Sequence, residues 1–303
     1  MSKVKTILFR ADSSSDIGTG HIMRDLVLAQ KYAKEGAKII FASCDLKGNI
    51  NQKILNTGYQ LVTLKSNSKK ELKELIKKLH IDLLVIDHYK IDHKKEKYLK
   101  KKTGVKILAF DDTYKRHYCD ILLNHNISAK KRKYKKLVPK WCQIKCGKKY
   151  TLLRQEFIEE KKKKYKKDRD IKRLFIAMGG ADTANLNSKI LKVLSKFQYI
   201  KVDLVTTSAN QRLQELQKYS EKKSWINLHI DSSKVAKLMA QSDLAIITTS
   251  SIVHEVLYME LPFIAIKVVE NQERMYRYLK KKKYHPLAKF SSKKLSKRLR
   301  GIL

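Results

Sequence analysis

The sequence predicts an α/β protein of two doubly wound domains, each a parallel sheet covered by helices on both faces. Three observations carry this reading. Short apolar runs with little polar alternation recur along the chain, as strands buried on both faces require. Segments of helical period separate them, which is the spacing of βαβ units. The alternation breaks once, in a lysine-rich stretch near the middle of the 303 residues, and then starts again. At 43% apolar residues the chain can build one large or two medium cores.

Element by element, "KTILFR" (5–10) reads as the first strand and 21–36 as a helix that stops at Gly36. "AKIIFAS" (37–43) and "YQLVTL" (59–64) are strands, followed by a helix over 69–80. "DLLVID" (82–87) is a buried strand, 92–103 a helix with Gly104 just after it, and "VKILAF" (105–110) a strand. "CDILLN" (119–124) closes the first half. The stretch 155–170 reads as a linker, or as a helix leading into one. Strands then follow at "IKRLFIAM" (171–178), "IKVDLVTT" (200–207), "INLHI" (226–230), "DLAIITT" (243–249) and "PFIAIKV" (262–268). Helices cover 184–197, 209–220, 233–241, 251–260 and 271–283. The last segment, "FSSKKLSKRLRGIL", is either a helix packing back across the first domain or a frayed tail. The domains are placed at 1–160 and 168–303, with no sequence repeat between them. A ligand site in such a pair lies at the C-terminal ends of both sets of strands.

Composition excludes several classes. No apolar run approaches a membrane span of roughly 18 residues, and the N-terminus lacks the apolar core of a signal peptide. A cytoplasmic protein is therefore expected. Four irregularly spaced cysteines do not form a disulfide framework, and Cys142 and Cys146 lack the second pair of a zinc site. The net charge of +39 raises a nucleic-acid hypothesis. The excess is nearly all lysine, scattered or bunched at 130–136, 161–167 and 280–283. Nucleic-acid sites favour arginine with interleaved aromatic residues. These bunches read as solvated surface, and no nucleic-acid partner is expected. The charge is compatible with attracting an anionic substrate.

Two glycine turns stand out in a chain with only ten glycines. In "DSSSDIGTGHIM", Gly18 and Gly20 permit a sharp turn into a helix whose N-terminus suits an anion. His21 stands at its lip, where a neutral imidazole can act as a general base. The spacing lacks the third glycine of a dinucleotide fingerprint. In "MGGADTANLN", Gly179 and Gly180 leave room for a phosphate beside a helix that Asp182 or Thr183 caps. In "TTSSIVHEVL", Ser250 or Ser251 caps a helix, and Glu255 one turn on can accept both hydroxyls of a ribose or simply favour the positive helix end. Asp87, His88 and Tyr89 follow a strand and can line a sugar pocket. Asp111 and Asp112 are a turn or, less well supported, a metal site. Asn271 and Gln272 open a helix, as cleft amides or as a plain cap.

Together these stretches resemble one family. "FRADSSSDIGTGHIMRDLVLA", "VIDHY", "GVKILAFDD", "CDILLN", "LLRQEF", "MGGADTANL", "SSIVHEVL" and "NQE" run in order from residue 9 to 273. They are similar to the UDP-sugar hydrolases of pseudaminic acid biosynthesis. That family releases UDP from UDP-2,4-diacetamido-2,4,6-trideoxy-β-L-altropyranose and is related to GT-B glycosyltransferases such as the peptidoglycan N-acetylglucosaminyltransferase. The resemblance implies a GT-B-like pair of Rossmann-like domains, with UDP held mainly by the second. It implies His21 as catalytic base, water attacking the anomeric carbon with inversion, and a role in glycosylating surface proteins such as flagellin. It implies Arg154, Gly179, Gly180, Ser251, Glu255 and Asn271 near nucleotide or substrate. Together with the residue reading, the sites are expected as Ser13, Gly18, Gly20, Asp87, Tyr89, Arg154 and Asn271 on the substrate and Gly179, Gly180, Ser250, Ser251 and Glu255 on UDP. His254 stands where the family pattern commonly has asparagine. No cofactor or metal is expected, because UDP is already a good leaving group. Which carboxylate orients His21, Asp12 or another nearby one, stays open. A GT-B transferase is the alternative, but it needs an acceptor site, and the N-terminal half shows no clear apolar loop for a lipid acceptor.

Overall fold

The computed structural model describes residues 4–165 and 172–303. The chain divides into two compact units, 1–152 and 153–303.

In the first unit, strands β1 (Thr6–Ala11), β2 (Lys38–Cys44), β3 (Gln60–Leu64), β4 (Leu83–Asp87), β5 (Lys106–Phe110), β6 (Ile121–Asn124) and β7 (Gln143–Cys146) alternate with helices α1 (Gly20–Lys34), α2 (Asn51–Asn56), α3 (Lys69–Lys78) and α4 (His93–Thr103). The strand order is β3-β2-β1-β4-β5-β6-β7, and every pairing is parallel. The order reverses between β1 and β4. There two neighbouring strands send their connections to opposite sides, and a crevice opens at their C-terminal ends.

Side-chain alternation explains the burial. Leu8, Ile40, Leu84 and Ile86 pack on one face of the sheet with Leu72, Ile76 and Leu99 from α3 and α4. Ile7, Phe9, Phe41 and Val85 pack on the other with Ile22, Leu28 and Ala29 from α1. A run such as "ILF" is therefore apolar at every position. Strand β7 and the short helix α2 escape the sequence reading. β7 is an edge strand, "QIKC", whose side chains are exposed or half-buried. Its backbone pairing with β6, not its composition, makes it a strand.

In the second unit, α5 (Gln155–Lys162) precedes β8 (Lys172–Ala177), α6 (Leu186–Leu194), β9 (Ile200–Thr206), α7 (Leu213–Glu221), β10 (Ile226–Ile230), α8 (Val235–Ala240), β11 (Leu244–Thr248), α9 (Ile252–Met259), β12 (Phe263–Ile266), α10 (Glu273–Lys281) and α11 (Ser292–Arg300). The parallel sheet runs β10-β9-β8-β11-β12. Its order reverses between β8 and β11.

Residues 155–162 take the helical alternative of the sequence reading, with Phe157 fully buried and α5 packed on α8 and α9. Residues 166–171, the remainder of that stretch together with Ile171, lie outside the described residues. The terminal segment is helix α11, and it packs in its own unit against α6. Leu295 and Leu299 enter the core beside Leu191 and Leu194.

Candidate active site

In the first unit the site grows from the turn between β1 and α1. Gly18 has φ +79°, which a side chain resists, and its N–H donates to the Ser14 carbonyl at 2.8 Å. Gly20 has open space where a Cβ would be. Helix α1 begins there with no side-chain cap and no acidic residue in its first turn. Its N-terminal end is left positive and uncapped by side chains.

His21 lies in that first turn, and its side chain is 11% exposed. Nδ1 stands 2.7 Å from Oδ1 of Asp87, the last residue of β4. An ionised carboxylate only accepts, so Nδ1 carries the proton and Nε2 holds the free lone pair. Nε2 has no protein hydrogen bond among the described residues. Asp87 is 2% exposed. Burial alone would raise its pKa, but the Arg24 guanidinium, and then His21, hold it well below the usual carboxylate range.

Arg24 lies one helical turn beyond His21. Its Nε and Nη2 donate to the two oxygens of Asp87, and Nη1 donates to Asp112 Oδ2 at 3.3 Å. The guanidinium stacks on Phe110 at 5.0 Å. Tyr89 donates its hydroxyl to Asp112 at 2.9 Å and meets the His21 ring edge-on at 5.0 Å. The ends of β4 and β5 and the start of α1 thus bring together His21, Asp87, Tyr89 and Asp112, all singled out in the sequence, with Arg24, which the sequence reading did not name. The three-residue spacing of His21 and Arg24 in "HIMR" places both on one helix face, a signal legible in the sequence.

Other expectations resolve differently. Asp12 does not orient His21. It accepts from both terminal nitrogens of Arg10 at 2.6 and 2.8 Å, from the Cys44 amide at 2.8 Å and from His88 Nε2 at 2.9 Å. His88 Nε2 is thereby engaged by Asp12. Ser13 is fully buried, and its hydroxyl accepts the Ile50 amide at 3.0 Å, which ties the loop to α2 rather than presenting an oxygen outward. Asp111 is a turn residue. It accepts the Thr113 and Tyr114 amides and the Tyr134 hydroxyl at 2.7 Å. Among the described residues no group of three or more His, Cys, Asp or Glu is arranged to hold a metal ion.

In the second unit Gly179 and Gly180 follow β8, and Ser250 and Ser251 follow β11, the two strands between which the order reverses. Gly179 has φ +87° and open space beside it. At Gly180 a Cβ would stand 2.8 Å from the γ atoms of Thr207, so no side chain fits there. Asp182 is the residue that caps α6, accepting the Leu186 and Asn187 amides at 2.8 and 2.9 Å. An internal carboxylate therefore already occupies the amides that the phosphate reading assigned to that helix. Helix α9 is different, because its cap residue Ser251 makes no side-chain bond to it and Ser250 is paired with Thr248 at 2.8 Å. Glu255, one turn inside, accepts Arg154 Nε at 3.0 Å through Oε1. Burial raises the pKa of that carboxyl, and Arg154 partly offsets it. Arg154 also pairs with Glu156 at 2.6 Å and lies over Phe157. Gln272 accepts the Val268 amide at 2.9 Å, so it fixes the β12–α10 turn, while Asn271 beside it is exposed.

Comparison with known proteins adds the following. The chain is 45% identical over 278 residues to the UDP-2,4-diacetamido-2,4,6-trideoxy-beta-L-altropyranose hydrolase of Campylobacter jejuni subsp. jejuni serotype O:2, spanning 92% of this chain and 97% of that one. It is 24% identical over 270 residues to the spore coat polysaccharide biosynthesis protein SpsG of Bacillus subtilis, spanning 86% and 77%. Among solved structures it resembles MurG of Acinetobacter baumannii with a TM-score of 0.66 and 11% identity, over 98% of this chain and 90% of that one. It also resembles the UDP-GlcNAc 2-epimerase of Neisseria meningitidis, with a TM-score of 0.62 and 11% identity over 99% and 91%. At such identities these two show the fold, which is GT-B-like. No family model matches the chain.

Proposed function

The chain belongs to the family of UDP-2,4-diacetamido-2,4,6-trideoxy-beta-L-altropyranose hydrolases, and from that premise we propose that His21, oriented by Asp87, activates the attacking water. The protein is a UDP-sugar hydrolase, and its reaction yields UDP and the free sugar. The observation that carries the mechanism is the 2.7 Å contact between His21 Nδ1 and Asp87 Oδ1. It fixes the tautomer that leaves Nε2 to accept a proton.

In the step we infer, Nε2 takes a proton from water as the water oxygen bonds to the anomeric carbon. The bond from that carbon to the UDP oxygen breaks, and its electron pair leaves with the diphosphate. Asp87 stabilises the imidazolium that forms. Base and leaving group act on opposite faces of the sugar, so the configuration inverts. The second unit supplies UDP binding. Its diphosphate charge is met at the Gly179 turn and the positive end of α9 at Ser250 and Ser251, because Asp182 already closes α6. Glu255 Oε2 accepts ribose hydroxyls while Oε1 stays on Arg154. Tyr89, half exposed, and Asn271 serve the sugar.

Proton NMR of a fresh reaction without acceptor tests this reading. UDP and sugar should appear in equal amounts, with the first-formed anomer opposite in configuration to the substrate. Retention of configuration contradicts the single displacement. UDP release only when an acceptor is added points to a transferase.

A further inference from the structure

Arg24 has no part in the step just described, yet it touches both His21 and the carboxylate that orients it. Its fork grips both oxygens of Asp87. Its Nη2 lies 3.2 Å from His21 Nδ1. With Nδ1–H already donated to Asp87, that approach sets two donors side by side and is repulsive rather than a hydrogen bond. The guanidinium is held on its other sides by Phe110 at 5.0 Å and by Asp112 at 3.3 Å. His125 Nε2 stands 3.5 Å from Nη1. The side chain is only 14% exposed, so its charge is weakly screened.

Resting on the hydrolase reading above, we propose that Arg24 is a positioning residue for the reaction. Its planar fork holds the Asp87 carboxylate so that Oδ1 meets His21 Nδ1, and its positive charge opposes a second proton on the ring before water is engaged. A bidentate guanidinium can set the carboxylate plane, and a lysine ammonium cannot.

The charges around the ring make the second effect necessary. From α1 come Arg24 and Asp25. From the end of β4 come Asp87 and Tyr89, with Lys115 over the Tyr89 ring at 5.8 Å. Asp112 follows β5 and His125 follows β6. Asp25 is fully buried with both oxygens lacking hydrogen bonds, and burial together with Asp87 pushes its carboxyl well above the usual range, toward the neutral form. Asp87 and Asp112 thus stand as two carboxylates, and Arg24 is the cation that touches both. Without it the surroundings of His21 become more negative and favour the protonated ring.

The test is the pH profile of kcat/KM, from about pH 5.5 to 9, for wild type, Arg24→Gln, Arg24→Lys and Asp87→Asn, with folding checked by circular dichroism. In Arg24→Gln the acid limb should move up by about one pH unit, as loss of a neighbouring charge does, so that activity lost at neutral pH partly returns at pH 9. Arg24→Lys should keep the limb in place and lose about tenfold on the plateau because the fork is gone. Asp87→Asn should lose activity that no rise in pH restores. A uniform loss in Arg24→Gln with the limb unmoved, or a fully active Arg24→Lys, overturns the proposal. If Arg24→Gln does not fold, the Arg24→Lys arm alone decides it. Failure of the underlying reading looks different, because wild type itself would then release no UDP without acceptor.

Discussion

At the scale of single residues, function turns on which carboxylate faces which base. The sequence offers Asp12 or another nearby carboxylate to orient His21 and does not decide between them. Backbone position does. Asp87 ends β4 beside the turn that carries His21, whereas Asp12 is drawn to Arg10 and His88. Asp87→Asn should therefore lower kcat/KM by about 10²–10⁴-fold while leaving UDP affinity intact, as steady-state kinetics with calorimetry can show. A second residue-scale prediction concerns stability. His117 Nδ1 lies 2.8 Å from Glu96 Oε1, and Nε2 lies 3.8 Å from Asp111 Oδ1. Burial works against the charged ring, but Asp111 and Glu96 outweigh it and push its pKa up to about 9. The folded-state value is above the unfolded one of about 6.5. The stabilisation is thus full below about pH 6.5 and lost as pH rises through about 9. Urea unfolding of His117→Gln should show a deficit on the order of 2–3 kcal/mol at pH 6 that shrinks by pH 10. A deficit that does not change with pH would contradict the charged assignment.

At the scale of elements, the buried strands were legible because burial on both faces writes a continuous apolar run. Edge strand β7 was not, because its pairing partner is set by topology rather than by its own side chains. The glycine turns were legible as turns, but their reasons were not. Gly179 has an open site and a left-handed backbone, while Gly180 is small because of Thr207, a contact between residues far apart in sequence. Gly180→Ala should lower the melting temperature and weaken UDP binding, and Thr207→Ala in the same chain should restore much of both, as a double-mutant cycle can measure. Helix α6 carries a similar lesson. Asp182 in "GGAD" was legible as a candidate cap, but only the observed bonds show that it fills the anion position itself. At the end of the chain, Leu299 is fully buried, so Leu299→Ala should destabilise the second unit by about 2–5 kcal/mol. A truly frayed tail would tolerate the change.

At the scale of the whole molecule, two α/β units share one topology, a parallel sheet whose strand order reverses once, and the residues proposed for function follow strands of each sheet. The net charge of +39 surrounds both, and no helix among the described residues is long and apolar enough to cross a membrane. For a substrate carrying a diphosphate, that charge should speed encounter. Raising salt from about 20 to 200 mM should then lower kcat/KM several-fold and leave kcat nearly constant. The proposed reaction puts the base in the first unit and UDP binding in the second, and that division can be tested directly. The measurement is the single-turnover rate of UDP release without acceptor, for wild type beside His21→Asn, with UDP affinity determined on the same preparations. The account predicts release slowed by about 10²–10⁴-fold with UDP affinity unchanged. Release at the wild-type rate by a folded, UDP-binding His21→Asn protein would contradict it.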